Sequence, residues 1–369
     1  MPVYEDPVDG VTVPVGALQA LATGIVEALG TPSDIAADVA EVLVASDRRG
    51  IASHGTARLP DYAALVEAGV LDPAGRPVLA SARPALGRFD ARNGWGHHAG
   101  RVAVDWAIDA ARAQGMATAV VGHSNHYGIA GWYALRAADA GLIGISLTNT
   151  SPVVAPTRAI DPLIGTNPIA IAAPAGRWGV FCLDMATSTV PRGRIEVAAR
   201  RGESIPVGWA IDEEGRPATT PDAALRGALQ PLGGGEATAG YKGYGLALAI
   251  DLITGVLTGS TYGPNVVPLF STHAGPSDVA QTYMAIDPAA VDDGDAFVRR
   301  VEGYFDQLAA ARTMPDAPGR VLIPGEPEAE AERRTAARGI VMDPVHATTL
   351  AGLADRLGVA VPYRPPGAG

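Results

Sequence analysis

The sequence predicts an α/β fold built on a mixed sheet, with a helical N-terminal part. Three observations carry this. Helix and strand signals are interleaved without the steady strand–helix–strand alternation of a doubly wound sheet or a barrel. The 369 residues are 47% apolar, enough for a large core in two domains or one composite one. Aromatic residues make up only 5%, so Ala, Val, Leu and Ile must do the packing, while 45 Gly and 30 Pro require many tight turns.

Residues 16–46 read as two helices. Thr31-Pro32-Ser33-Asp34 has the residue types of a helix start, followed by Ile35, Val39, Val42 and Leu43 at helical spacing. A loop over 48–53 leads into His54-Gly55-Thr56-Ala57-Arg58. Leu59, Tyr62, Leu65 and Val66 continue as a helix bent at Pro60. The chain up to residue 80 is thus mostly helical. Residues 88–100 are polar and glycine-rich. A helix follows over 101–112, a short buried strand over 116–121, a helix over 128–140 and a strand over 143–148. Strand and loop signals then run to Leu183. Helices are expected at 221–225, 242–257 and 296–312. A proline-rich connection follows at 317–327, a solvated helix face at 328–338 and a last helix at 346–357. There is no internal repeat.

The formal charge of −11 argues against nucleic acid and against an anionic membrane surface as partners. The single cysteine, Cys182, excludes an internal disulfide framework; its apolar neighbours Val180, Phe181 and Leu183 make it a buried core thiol. Residues 1–10 are acidic and contain proline, unlike a signal peptide. The longest apolar stretch, 245–257, is interrupted by Asp251 and too short to cross a bilayer. A cytoplasmic protein is expected. Of the 28 basic residues, 27 are Arg and one is Lys, Lys242. A coding bias explains the arginines and makes the exception informative.

Gly94-Trp95-Gly96-His97-His98-Ala99 formally matches a dinucleotide fingerprint, but polar residues precede it and no acid follows at the required distance. A glycine-rich loop entering a helix is the better reading. Within Ser53-His54-Gly55, His54 stands at a helix start, and His54, Arg58 and Tyr62 are spaced i, i+4, i+8, one face of a helix. Such a face could protonate an oxygen while gripping a carboxylate; it could equally be a solvated polar stripe. His123-Ser124-Asn125-His126 follows a strand and precedes Gly128, a place that faces ligands. The two histidines could bind metal, but no third ligand is near in sequence, so a metal is not expected. The loops Thr148-Asn149-Thr150-Ser151-Pro152 and Gly165-Thr166-Asn167-Pro168 suit either a ribose or ordinary side-chain turns. Gly240-Tyr241-Lys242-Gly243-Tyr244-Gly245 opens an apolar helix, an arrangement that takes a phosphate. Glycines at 243 and 245 suggest a narrow turn that admits a compact ammonium and excludes a guanidinium. No G-x-S-x-G is present, which argues against an α/β-hydrolase.

Together these segments resemble the type-2 malate/L-lactate dehydrogenase family, whose members include ureidoglycolate and sulfolactate dehydrogenases, diketogulonate reductase and piperideine-2-carboxylate reductases. The resemblance rests on residues 47–55, 124–128, 148–152, 164–168, 183–188, 240–245 and 324–326, and runs in order from about residue 10 to 360. It implies a non-Rossmann NAD(P)-binding fold and a homodimer. It also implies two domains: residues 1–122 plus 315–369 for substrate and dimerisation, and 123–314 for NAD(P). The cofactor, NAD or NADP, would meet Thr150, Val180, Asp184, Met185, Ala186, Tyr241, Lys242, Pro324, Gly325 and Glu326. His126 by preference, or His54, would give the proton, with Ser53, Arg58 and Tyr62 on the substrate side. The reaction implied is hydride transfer between NAD(P)H and a small 2-oxo or 2-hydroxy acid. Reduction of a cyclic imino acid such as piperideine-2-carboxylate is the alternative, and a non-catalytic binding protein on the same scaffold is a third reading. Three features depart from the family pattern: Arg192-Gly193-Arg194, Thr157-Arg158 and the pair His97-His98.

Overall fold

A computed structural model of the protein describes residues 6, 7 and 9–365, so the reading of residues 1–10 lies mostly outside the described residues. After β1 (Val11–Val13) come α1 (Val15–Ala28) and α2 (Ser33–Arg48), each starting directly behind a proline. Ile35, Val39, Val42 and Leu43 of α2 are all buried, as their spacing requires. The next segment is not one helix. Single 3-10 turns over Ala52–His54 and Thr56–Arg58 are separated by Gly55 and lead into α3 (Leu59–Glu67). Pro60 sits in the first turn of α3, where its missing N–H costs nothing, so it starts the helix rather than bending it.

The middle of the chain builds the sheet: β2 (Val78–Arg83), β3 (Leu86–Asp90), α4 (Gly96–Gln114), β4 (Met116–Ser124), α5 (Ala130–Asp139), β5 (Ile143–Thr148), β6 (Ile169–Pro174) and β7 (Val180–Met185). Next, α6 (Arg192–Arg201), β8 (Ala210–Ile211), α7 (Pro221–Arg226) and β9 (Ala228–Leu229) gather around Ile195 and Leu229. Then α8 (Tyr241–Asp251) runs into a π-helical stretch, Leu252–Val256, and β10 (Val279–Ile286) returns to the sheet. The chain ends with α9 (Gly294–Ala309), α10 (Glu326–Arg338), β11 (Ile340–Met342) and α11 (Pro344–Arg356).

The seven-stranded sheet has the order β2-β3-β4-β10-β5-β6-β7. Only β3 and β4 pair parallel, so the sheet is mixed, as expected. Alternation along β10 separates its faces: Tyr283 lies against Gly100 of α4, while Thr282 donates to Ile253 O of the π stretch. Helices α4 and α5 cover one face, and α8 with its π continuation crosses the other. The two chain ends meet: β1 pairs with β11, and α1 and α3 contact α11. The domain boundary expected at 122/123 falls inside β4.

Four expectations change. Residues 88–90 belong to β3 rather than to a polar loop; the strand is read poorly because β2 beside it is exposed throughout and only alternate residues of β3 are buried. The helix expected at 101–112 begins five residues earlier. The arginine-rich α6 carries little apolar periodicity, and no helix is expected there from sequence. The central strand β10 is also unexpected, because Gln281 and Thr282 interrupt its apolar pattern; both are buried and hydrogen-bonded to other elements. No helix among the described residues is long and apolar enough to cross a membrane.

Candidate active site

Asp47, buried near the end of α2, creates the turn that carries the first candidates. Its carboxylate accepts from the Thr56 N–H at 2.9 Å and from the Thr56 hydroxyl at 2.6 Å. A Cβ at Gly55 would collide with that carboxylate, so only glycine lets the turn close. The turn presents Ser53, His54 and Arg58, and α3 carries Tyr62.

His126 lies just beyond β4, in a loop pinned by Asn125. The Asn125 amide donates to Asn93 O and Gly94 O, both at 3.0 Å. A Cβ at Gly96 would strike Asn125 O and His126 O. The N-terminus of α4 is therefore packed against this loop and braces it; no phosphate fits there. The same first turn of α4 brings His97 under Tyr62.

These residues converge. The Tyr62 hydroxyl lies 2.6 Å from His126 Nδ1 and 3.3 Å from His97 Nε2. The His54 and His126 rings are 5.6 Å apart, and Ser53 Oγ holds His54 Nδ1 at 2.9 Å. Phe270, from the long loop before β10, lies 5.3 Å from the His126 ring, and the Arg58 guanidinium lies over Phe270 at 5.1 Å. Arg58 donates through Nε to Ser53 O (2.7 Å) and through Nη1 to Asp61 (3.0 Å). Nη2 is left without a partner among the described residues. Tyr62 and His97 are fully buried; His54 and His126 keep part of their surface open, and Ser53 is exposed.

Enough protein surrounds the two open rings to disfavour a charge. Burial, then the Arg58 charge, brings His54 down to about 4. Burial alone brings His97 down to about 3. Burial, then His54, His97 and Arg58, holds His126 well below the usual histidine range. Burial pushes Tyr62 up. At neutral pH the site is thus three uncharged imidazoles and a phenol beside one fixed cation. That arrangement can hold an anion and offer N–H groups to an oxygen.

Some candidates behave otherwise than expected. His123 takes no part: it pairs with Asp278 at 2.9 Å with its backbone in the left-handed region. Tyr62 lines the site from behind, its hydroxyl committed to two imidazoles. No group of three suitable side chains among the described residues is placed to hold a metal ion.

The cofactor candidates fall into two groups along the edge strand β7. At one end, Asp184 accepts from the Gly131 N–H (2.8 Å) at the start of α5; burial pushes its carboxyl up to about 6, against that bond. Beyond Met185 and Ala186, the Thr187 N–H donates to Thr166 O (2.8 Å), and the Thr166 N–H donates to Thr150 Oγ1 (3.0 Å). The Leu232 N–H donates to Thr187 O (2.8 Å), and Gly243 packs on Leu232, which brings Tyr241 and Lys242 to the same end. Both are exposed, and the Lys242 ammonium has no partner among the described residues. The narrow turn expected there is not formed. Gly243 faces Leu232 rather than a ligand, and Gly245 faces open space.

In the middle of β7, the Cys182 N–H donates to Pro324 O at 3.1 Å, and Gly325 crosses the strand with φ +96°. Glu326 is tied to Arg320 at 2.6 Å. Val180 and Gly325 open on a cavity of about 760 Å³, lined also by Trp132, by Arg48 and Arg49, which pair with Glu332, and by Arg136, which pairs with Asp105. None of the clustered histidines lines it. Cys182 is buried, and burial pushes its thiol up to about 12, which makes it inert at neutral pH.

Three participants escape the sequence reading. His97 is visible there only as half of an unusual pair, Phe270 comes from a loop without pattern, and the Asp47 clamp needs the fold.

A family model described as malate/L-lactate dehydrogenase matches residues 13–351. The chain is 40% identical over 318 residues to a malate dehydrogenase of Pyrococcus abyssi, covering 86% of each. It is 37% identical over 292 residues to a (2R)-3-sulfolactate dehydrogenase (NADP(+)) of Chromohalobacter salexigens, covering 79% of this chain and 84% of that one. The solved structure of malate dehydrogenase from Pyrococcus horikoshii OT3 superposes with a TM-score of 0.89 at 34% identity, over 96% of this chain and 98% of that one. Sequence and fold agree over nearly the whole length: the chain belongs to the malate/L-lactate dehydrogenase family of NAD(P)-dependent oxidoreductases.

Proposed function

We propose that the protein interconverts a small 2-oxo acid and its 2-hydroxy acid at the cluster of His54, Arg58, Tyr62 and His126. The observation that carries this reading is the convergence of uncharged imidazoles beside Arg58, whose Nη2 is free for a carboxylate. The residues along β7 fit a dinucleotide. Lys242 offers an unpartnered ammonium at a helix start, Thr150 and its neighbours offer hydroxyls, and Val180 and Gly325 adjoin a cavity. Asp184, Met185, Ala186, Tyr241, Pro324 and Glu326 complete that surface. The nicotinamide, when bound, supplies or takes up the hydride at the carbon beside the carboxylate.

Arg58 binds the carboxylate. The bound anion offsets the charge of Arg58, so His54 and His126 gain a proton more readily in the complex than alone. His126 donates the proton to the substrate oxygen, with His54 as second choice; Ser53 orients His54 and Tyr62 orients His126. Phe270 keeps water from that side of the ring.

The fold holds its cofactor without a Rossmann arrangement, dividing at residues 1–122 plus 315–369 and 123–314, and works in the cytoplasm as a homodimer. Leu248, Leu252, Val256 and Leu257 present a largely exposed apolar stripe on α8 and its π continuation, which a second copy would cover. The test is oxidation of NADH and NADPH with a panel of 2-oxo acids and cyclic imines. Turnover of 2-oxo acids is expected. No turnover with any member, and no shift in melting temperature with either cofactor, would remove the reading; turnover of imines alone would redirect it.

A further inference from the structure

We propose that Phe270 sets the side-chain preference of the site, which takes 2-oxo acids whose remaining arm is apolar and turns away those carrying a second acidic group. The inference rests on the reading of Arg58 as the carboxylate anchor and of His126 as the group that meets the substrate oxygen.

A substrate anchored at Arg58 and reduced beside His126 has its first two carbons placed by those residues. The Phe270 ring spans both: it lies 5.1 Å from the Arg58 guanidinium and 5.3 Å from the His126 ring. A molecule bridging the two therefore lies alongside that ring, and its remaining arm meets hydrocarbon.

The ring is placed by its loop. The Ser271 N–H donates to Pro268 O at 3.0 Å, so Phe270 sits in a tight turn, and its ring packs on Tyr62 at 5.7 Å. The loop, 261–278, is closed at its neck. The Thr261 N–H donates to the Asp278 carboxylate at 3.0 Å, and the Thr261 hydroxyl donates to Ser277 O at 3.0 Å. Asp278 also holds His123 at 2.9 Å, and the Ser277 hydroxyl donates to the Asn125 side-chain oxygen at 3.3 Å. The loop is thus moored to the same segment that presents His126, and Phe270 is a wall of the site. It is only half-buried, which leaves ring surface for a ligand.

Charge works in the same direction. Arg58 is paired with Asp61 at 3.0 Å, so one substrate carboxylate takes up what remains of that cation. A second acidic group would meet the Phe270 ring and the Asp61 carboxylate, and would lose water without gaining a partner. A methyl group or a hydrocarbon chain gains from the same contact.

2-Oxobutyrate and oxaloacetate test this, because they differ only by a methyl against a carboxylate. Wild-type kcat/KM is expected to be higher for 2-oxobutyrate by about tenfold or more, the scale of one-group discrimination in an apolar pocket. Phe270→Arg puts a cation where the ring stood and should shift the ratio toward oxaloacetate by about tenfold, whereas Phe270→Leu should keep the wild-type order. KM for the cofactor should not change. Equal or higher wild-type kcat/KM for oxaloacetate, or a ratio that Phe270→Arg leaves unchanged, would overturn the proposal. Binding reads the same preference without turnover. 2-Hydroxybutyrate and malate, titrated calorimetrically into the protein with reduced cofactor present, form complexes that cannot react, since both partners are already reduced. Tighter binding of 2-hydroxybutyrate supports the proposal, and tighter binding of malate contradicts it. A protein that reduces no 2-oxo acid yet binds 2-hydroxybutyrate more tightly contradicts the enzymatic reading alone. One that reduces oxaloacetate in preference contradicts only this inference, and binding of neither acid contradicts both. Should Phe270→Arg not fold, the wild-type ratio and the two titrations decide.

Discussion

Arg58 and Lys242 are both cations at the proposed site, and their surroundings separate them. Arg58 is fixed on two sides by Ser53 and Asp61, so its remaining N–H edge is aimed. Arg58→Lys keeps the charge and loses the fork, and KM for the best 2-oxo acid should rise about tenfold while cofactor affinity holds. An unchanged KM would remove Arg58 from substrate binding. Lys242 sits in the first turn of α8, where its charge opposes the helix dipole and meets no carboxylate. A phosphate would reverse that cost. Lys242→Ala should weaken NAD(P)H binding about tenfold by fluorescence titration, whereas Lys242→Arg, with open space around it, should lose little. Equal dissociation constants for Lys242→Ala and wild type would make it an ordinary surface residue. His126→Ala should lower turnover by about 10²–10⁴-fold and His54→Ala by less; two near-normal rates would leave the proton donor elsewhere.

Among the elements, β7 joins the two groups of cofactor candidates, and it keeps its place through Gly325. A Cβ there would lie 2.9 Å from Cys182 N, and the backbone is left-handed. Gly325→Ala should destabilise the protein by about 1–3 kcal/mol and weaken cofactor binding with it. Chemical denaturation measures the first, and a midpoint equal to wild type would show that β7 does not need the close crossing. The helices read well from sequence where an apolar stripe packs on one partner, as in α2. They read poorly where burial is shared among elements, as in β10, or where arginine covers the surface, as in α6.

For the whole molecule, pH dependence follows from groups held away from their usual ionisation. Below about pH 6.5 the histidines of the unfolded chain take up protons that folded His54 and His97 refuse until about 4 and 3. Stability is therefore lost as pH falls through that window. Asp184, pushed up to about 6, works in the opposite sense: its folded carboxyl binds a proton before the unfolded one, which favours the fold as pH drops below 6. The melting temperature of wild type should fall more between pH 6.5 and 4 than that of His97→Gln, which lacks one buried imidazole. Parallel curves would show that His97 is not held neutral by burial. A dimer mass by light scattering at micromolar concentration is expected from the exposed stripe on α8.

The sequence alone determined the α/β class, the helical N-terminal part, most helices within a few residues, and the candidates His54, Arg58, Tyr62 and His126. These follow from local periodicity, from glycines and prolines, and from a resemblance carried by short segments, all of which are properties of neighbours along the chain. Only the tertiary structure decided the strand order, because β10 enters between β4 and β5 from more than 100 residues away. It also decided that Tyr62 stands behind His126, that His97 stands behind Tyr62, and that Gly96 serves packing rather than phosphate. The physical reason is the same in each case. A buried hydroxyl or imidazole takes its role from the atoms within hydrogen-bond reach, and for Tyr62 those two atoms lie 35 and 64 positions away in the chain.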